Sequence, residues 1–140
     1  CCPRNPTLLV SGSRDGAIKI WRLFETEGDS EIQQLAVFEA SCLRNSKAES
    51  VTALAFCPVQ NLNGDYILAV GLECGLLELW RISRSGKDCE LMEAFNSQLC
   101  HISTITKLAW KPKSVGRQIL SSCSSDHGCR IFDIDIHQNT

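Results

Sequence analysis

The run Leu8-Leu-Val-Ser-Gly-Ser-Arg-Asp-Gly-Ala-Ile-Lys-Ile-Trp-Arg-Leu23 decides how the chain is read, because it recurs twice. The later copies are Ile67-Leu-Ala-Val-Gly-Leu-Glu-Cys-Gly-Leu-Leu-Glu-Leu-Trp-Arg-Ile82 and Ile119-Leu-Ser-Ser-Cys-Ser-Ser-Asp-His-Gly-Cys-Arg-Ile-Phe-Asp-Ile134. Each reads as strand, tight turn, strand. The turn positions hold Asp15-Gly16, Cys74-Gly75 and Asp126-His127-Gly128. Alternation such as Ile18 and Ile20 around Lys19 has the period of a hairpin with one buried face.

Outward from these hairpins, a matching strand precedes the second and third copies: Val51-Thr-Ala-Leu-Ala-Phe-Cys-Pro58 and Ile105-Thr-Lys-Leu-Ala-Trp-Lys-Pro112. Cys1-Cys2-Pro3 is what remains of it in the first. Pro3, Pro58 and Pro112 stand 55 and 54 residues apart, and the aromatics Trp21, Trp80 and Phe132 stand 59 and 52 apart. So long a period excludes short solenoids. Glu31 to Phe38 and Cys89 to Phe95 alternate as a fourth strand, after polar loops at Glu25 to Ser30 and Ser83 to Asp88. Four strands per unit make a propeller blade. Glu39 to Ser50 reads as a polar connection, and no Pro- or Gly-rich linker marks a domain boundary.

Composition agrees with a folded, water-facing domain. Of 140 residues, 44% are hydrophobic and 21% charged, a balance that excludes a disordered tail. Fourteen basic against sixteen acidic residues give a net charge of -2, so no overall field draws the chain to nucleic acid or anionic lipid. No apolar run approaches the roughly twenty residues of a membrane helix, and no membrane partner is expected. Nine cysteines without a Cys-x-x-Cys pair read as reduced thiols, which points to a cytoplasmic, and also nuclear, location.

At the hairpins the sequence resembles the WD-repeat family, whose pattern sets a Gly-His before the first strand, a Ser or Thr in the second, an Asp in the turn and Trp-Asp closing the third. The resemblance implies a hydrogen-bonded relay from His to Asp and from Ser to the Trp indole. The first copy offers Ser11, Asp15 and Trp21, its His falling before residue 1. The third offers His101, Ser122 and Asp126, with Phe132 in place of the Trp. The second keeps Trp80 alone, with Val70, Cys74 and Lys47 at the other positions, and is expected to be held by packing.

The fold expected is therefore an all-β WD-repeat β-propeller fragment of about two and a half to three four-stranded blades. It is expected to be the C-terminal part of a larger, seven-bladed ring, since the chain starts without Met and stops after a third strand. A partial blade covers about 1-40, a second about 48-96, and a third, lacking its fourth strand, about 101-140. Inter-blade insertions, Ala69-Val-Gly-Leu-Glu-Cys-Gly75, Ile105-Thr-Lys-Leu-Ala-Trp-Lys111 and Ser122-Cys-Ser-Ser-Asp-His-Gly-Cys-Arg-Ile-Phe132 resemble the C-terminal region of the Elongator second-subunit family. That resemblance implies a non-catalytic scaffold in the complex that modifies the wobble uridine of transfer RNAs. Its partners would be the catalytic and large subunits, and no cofactor is implied.

The residues also offer other chemistries. Cys100-His101 is a nucleophile and base by type, but His101 already has a relay role and a reactive thiol needs a positioned base. Cys123, His127 and Cys129 give at most three ligands from one hairpin, where zinc asks for four. Lys107, Lys111, Lys113 and Arg117 form a local positive patch without aromatics to stack bases, so direct nucleic-acid binding is not expected. Trp21, Trp80 and Trp110 read as core. Partner contacts are placed on the rim where turns and strand entrances open, at Arg14, Ser50, Glu73, Thr104 and Ser125. The alternative, a propeller reading a peptide motif as the substrate receptors of ubiquitin ligases do, asks for a basic or aromatic rim pocket, to which only Arg14 contributes.

Overall fold

The computed structural model describes residues 2–3, 7–26, 28–39, 49–95, 98–112 and 116–136. Among these lie ten strands and no helix: β1 Leu8–Gly12, β2 Ala17–Thr26, β3 Asp29–Glu39, β4 Val51–Phe56, β5 Tyr66–Leu72, β6 Leu77–Ile82, β7 Cys89–Ala94, β8 Ile105–Trp110, β9 Gln118–Ser124 and β10 Cys129–Ile134. They pair antiparallel into three sheets, β1-β2-β3, β4-β5-β6-β7 and β8-β9-β10. Cys1, Cys42, Lys47, Lys113 and most of the Glu39 to Ser50 connection lie outside the described residues.

Turn chemistry sets the hairpins. Gly16 and Gly75 take φ of 87° and 91°, a left-handed conformation that glycine adopts without a Cβ penalty. In the third hairpin the residue at that place is His127, with φ of 68°, and Gly128 follows it. The turn is held by its aspartate, whose Oδ1 accepts the Gly128 amide at 2.8 Å, as Asp15 Oδ1 accepts that of Ala17 at 2.9 Å.

Two apolar clusters hold the sheets together, one at each joint. Leu8, Ile18 and Ile20 of the first sheet meet Leu68, Val70, Leu72, Trp80 and Ile82 of the second. Ile67, Ala69, Leu77 and Leu79 of the second meet Ile105, Leu108, Leu120 and Ile134 of the third. Every residue of β5 is buried, its alternate side chains feeding opposite joints. The one-buried-face expectation therefore fails for the middle sheet, which is covered on both sides and so needs no polar face.

Close approach at the joints depends on missing side chains. A Cβ on Gly12 would lie 2.4 Å from Val51 Cγ1, and one on Gly71 2.6 Å from Ile105 Cγ2. Each glycine thus admits the first residue of the next sheet's inner strand. Thr52 Oγ1, within reach of the Gly71 carbonyl (3.2 Å) and the Ile105 carbonyl (2.6 Å), ties the second joint.

One expected loop is strand instead. β2 and β3 stay paired from Leu23↔Ile32 to Thr26↔Asp29, across much of the polar Glu25 to Ser30 stretch. Backbone pairing continues through polar residues there, so residue polarity does not mark the ribbon's end.

Candidate functional site

The third sheet carries the fullest polar set. His101 and Ser122 are buried, at 4% and 1% exposure, so each polar atom needs a partner. His101 Nδ1 lies 3.0 Å from Asp126 Oδ2 and its Nε2 lies 2.8 Å from Ser122 Oγ. A carboxylate has no proton to give, so Nδ1 donates to Asp126, and Nε2 pairs with the Ser122 hydroxyl. Asp126 also accepts the amides of Gly128 and Ile102, the latter at 3.3 Å. Burial works against its charge, but the Gly128 amide, His101 and the Ile102 amide outweigh it and hold the carboxyl below the ordinary 3.8. The second hairpin fixes the histidine's backbone: His101 N donates to Gly75 O at 3.1 Å, and a Cβ on Gly75 would meet His101 O at 2.3 Å.

Ser122, His101 and Asp126 have the connectivity of a nucleophile, base and orienting acid. Their burial gives them another use, because the cleft beside His101, lined by Ile102, Asp126, Gly128, Cys129 and Arg130, does not reach Ser122. A hydroxyl that no carbonyl can approach is a structural group.

In the first sheet Trp21 Nε1 donates to Ser11 Oγ at 2.9 Å, while Asp15 turns to the Ala17 amide. That amide first, and the Ser13 hydroxyl next, lower the Asp15 carboxyl. In the second sheet Val70 offers no acceptor, and the Trp80 indole donates to Glu78 Oε1 at 3.2 Å, so packing is joined by a polar bond. Sequence reasoning missed Glu78. The available signal was its position two residues before Trp80, on the same face of one strand.

The three tryptophans differ in burial. Trp80 is buried at 8% exposure and stacks against Phe38 with centroids 4.4 Å apart. Trp110 is half-buried and donates its indole N–H to Ala55 O across the joint at 3.0 Å. Trp21 departs from the core expectation: it is half-buried in an open groove with Leu9, Val10 and Ile32, because no described sheet covers that face. Phe132, with no N–H to give, packs on Phe95 at 5.1 Å.

The five rim positions fall on one line of hydrogen bonds. Ser50 Oγ donates to Arg14 O at 2.7 Å, and Glu73 N to Ser50 O at 2.9 Å. Thr104 Oγ1 donates to Glu73 O at 3.0 Å, and Ser125 N to Thr104 O at 3.0 Å. This seam crosses both joints. It commits the hydroxyls of Ser50 and Thr104 to backbone and leaves Arg14, Glu73 and Ser125 exposed.

The remaining candidates disperse. Arg117 Nε lies 2.8 Å from Asp133 Oδ1, which reduces the positive patch, while Lys107 and Lys111 are exposed on β8 and just beyond it. Cys100 is buried and its thiol pushed up by burial, and both nitrogens of the adjacent His101 are engaged elsewhere. Burial likewise pushes the Cys57 and Cys89 thiols up to about 11. No group of three or more His, Cys, Asp or Glu among the described residues could hold a metal ion. No helix among them is long and apolar enough to cross a membrane.

Comparison with known proteins agrees with this geometry. The family described as WD domain, G-beta repeat, matches residues 1–22. The crystal structure of the C-terminal WD40 domain of Sif2 is similar at a TM-score of 0.66 and 19% identity, over 94% of this chain and 32% of that one. The three sheets have the β-propeller fold of that WD40 domain. Over nearly its whole length the chain is similar to Elongator complex protein 2 of several organisms. The Drosophila melanogaster protein is 33% identical over 131 residues, 91% of this chain and 16% of that protein. The Arabidopsis thaliana protein is 29% identical over 145 residues, and the Homo sapiens protein 28% over 143. These alignments cover 94% and 91% of this chain, and 16% and 17% of the relatives. The chain thus spans about a sixth of the length of the curated relatives it matches.

Proposed function

We propose that the chain is part of an Elongator second subunit and serves as a non-catalytic protein scaffold in the complex that modifies the wobble uridine of transfer RNAs. The observation that carries the reading is 33% identity across 91% of the chain to a protein named Elongator complex protein 2. The polar groups fit a scaffold: relay side chains are tied to one another, and buried thiols are pushed up and unreactive. The catalytic and large subunits are the proposed partners, and the cytoplasm and nucleus the proposed locations.

Partner contact is assigned to the rim seam, which fixes the backbone and leaves Arg14 and Glu73 exposed as a mixed-charge edge. The full-length parent protein carrying Arg14→Glu with Glu73→Lys, purified from cells, is expected to retain its fold and lose at least one Elongator subunit. Unchanged recovery of every subunit removes the rim from the interface.

A further inference from the structure

Two thiols face each other at the tip of the third hairpin. Cys123 and Cys129 are direct cross-strand partners, with Sγ atoms in hydrogen-bond contact at 3.1 Å. The bond from Ser124 N to Gly128 O closes the hairpin one residue further on, which puts the cysteines in a non-hydrogen-bonded pair. At such pairs Cα atoms approach to about 4.5 Å, inside the span that a disulfide accepts. Cys129 is exposed and Cys123 half-buried, so a small reagent can reach them.

The corresponding pairs in the other hairpins are Gly12↔Ile18 and Gly71↔Leu77. Their glycines admit Val51 and Ile105 of the next sheet, a packing role that a cysteine does not reproduce. The third copy replaces both members of the pair at once, and with the two residues able to bond covalently across it.

We propose that Cys123 and Cys129 form a reversible dithiol–disulfide site that exchanges with small-molecule disulfides of the glutathione class. Cys123 loses its proton and its thiolate attacks one sulfur of the small disulfide. The other sulfur leaves with the bonding electron pair and is protonated as a thiol. Cys129 then gives its proton to water and attacks the Cys123 sulfur of the mixed disulfide, expelling the second small thiolate. Two protein thiols are oxidised, and one small disulfide is reduced to two thiols. The hydrogen bond that Cys129 donates to Cys123, and then the Cys123 charge, raise the Cys129 thiol, which favours this order of attack. The new bond staples the loop from Ser124 to Gly128 and restricts the Asp126 carboxylate that holds His101.

The test equilibrates the full chain in mixtures of reduced and oxidised glutathione, quenches with acid, alkylates and digests with trypsin. Arg117 and Arg130 bound one peptide, Gln118 to Arg130, that contains both cysteines and no other. In oxidising mixtures that peptide should become two hydrogens lighter and refuse alkylation, reversibly on adding reduced glutathione. Cys129→Ser should stop at one glutathione on Cys123. Amide exchange at Asp126 and Gly128 should slow several-fold in the oxidised chain and not in Cys129→Ser. Full alkylation at every ratio, two glutathiones without ring closure, or a bond from Cys123 to another cysteine would each overturn the proposal.

Discussion

Ser122 and Asp126 hold His101 from its two sides, and the two contacts have different consequences because one is with a neutral buried group and the other with a charge. Removing the hydroxyl in Ser122→Ala leaves His101 Nε2 buried without its partner, which costs about 1 to 3 kcal/mol. Lys107→Ala, on the exposed face of β8, should change stability by less than about 0.5 kcal/mol. Chemical denaturation of the two variants checks the difference. Asp126 contributes through its charge. Its folded value is below the ordinary 3.8, so its contribution is fully present above 3.8 and is lost as pH falls through the lower folded value. The gap in urea midpoint between the wild type and Asp126→Asn should be widest near neutral pH and close in acid. A gap independent of pH contradicts a stabilising Asp126 carboxylate. Grouping His101 with Ser122 and Asp126 followed from the resemblance to the WD-repeat pattern, which sets a His before the first strand, a Ser in the second and an Asp in the turn. Glu78 was not reachable by that route: it stands outside the repeat pattern, and only the loss of the serine at Val70 makes it an acceptor for Trp80.

At the scale of the strand, the inter-sheet distance is set by glycine meeting a β-branched residue. Gly71→Ala places a methyl group 2.6 Å from Ile105 Cγ2 and should destabilise by about 1 to 3 kcal/mol, as overpacking does. Ile105→Ala removes that Cγ2 methyl, so the double variant should be more stable than the sum of the single effects predicts, read from a double-mutant cycle. Strict additivity would mean that the two residues do not press on each other. Strand positions were legible from alternation and turn residues in each hairpin. The double-sided burial of β5 was not, because a seven-residue apolar strand carries no mark of which neighbour covers each face. The β2–β3 ribbon was underestimated for a different reason, since backbone pairing there runs on through polar residues.

Across the described residues, three sheets are joined by two apolar clusters and by one hydrogen-bonded seam that crosses both joints. The fold class was readable from three hairpins of one pattern. The proposed partner surface is marked in the sequence only by turn positions, since recognition depends on which side chains remain outward once the seam has formed. A scaffold of this kind acts through surface shape, so the segment should be exchangeable between relatives that present the same surface. The most direct test is to replace the matching segment of Drosophila Elongator complex protein 2 with residues 1–140 and to purify the folded chimera from cells. Recovery of the other Elongator subunits at the level of the unaltered protein is the predicted result. A chimera that folds and recovers none of them would contradict the assignment.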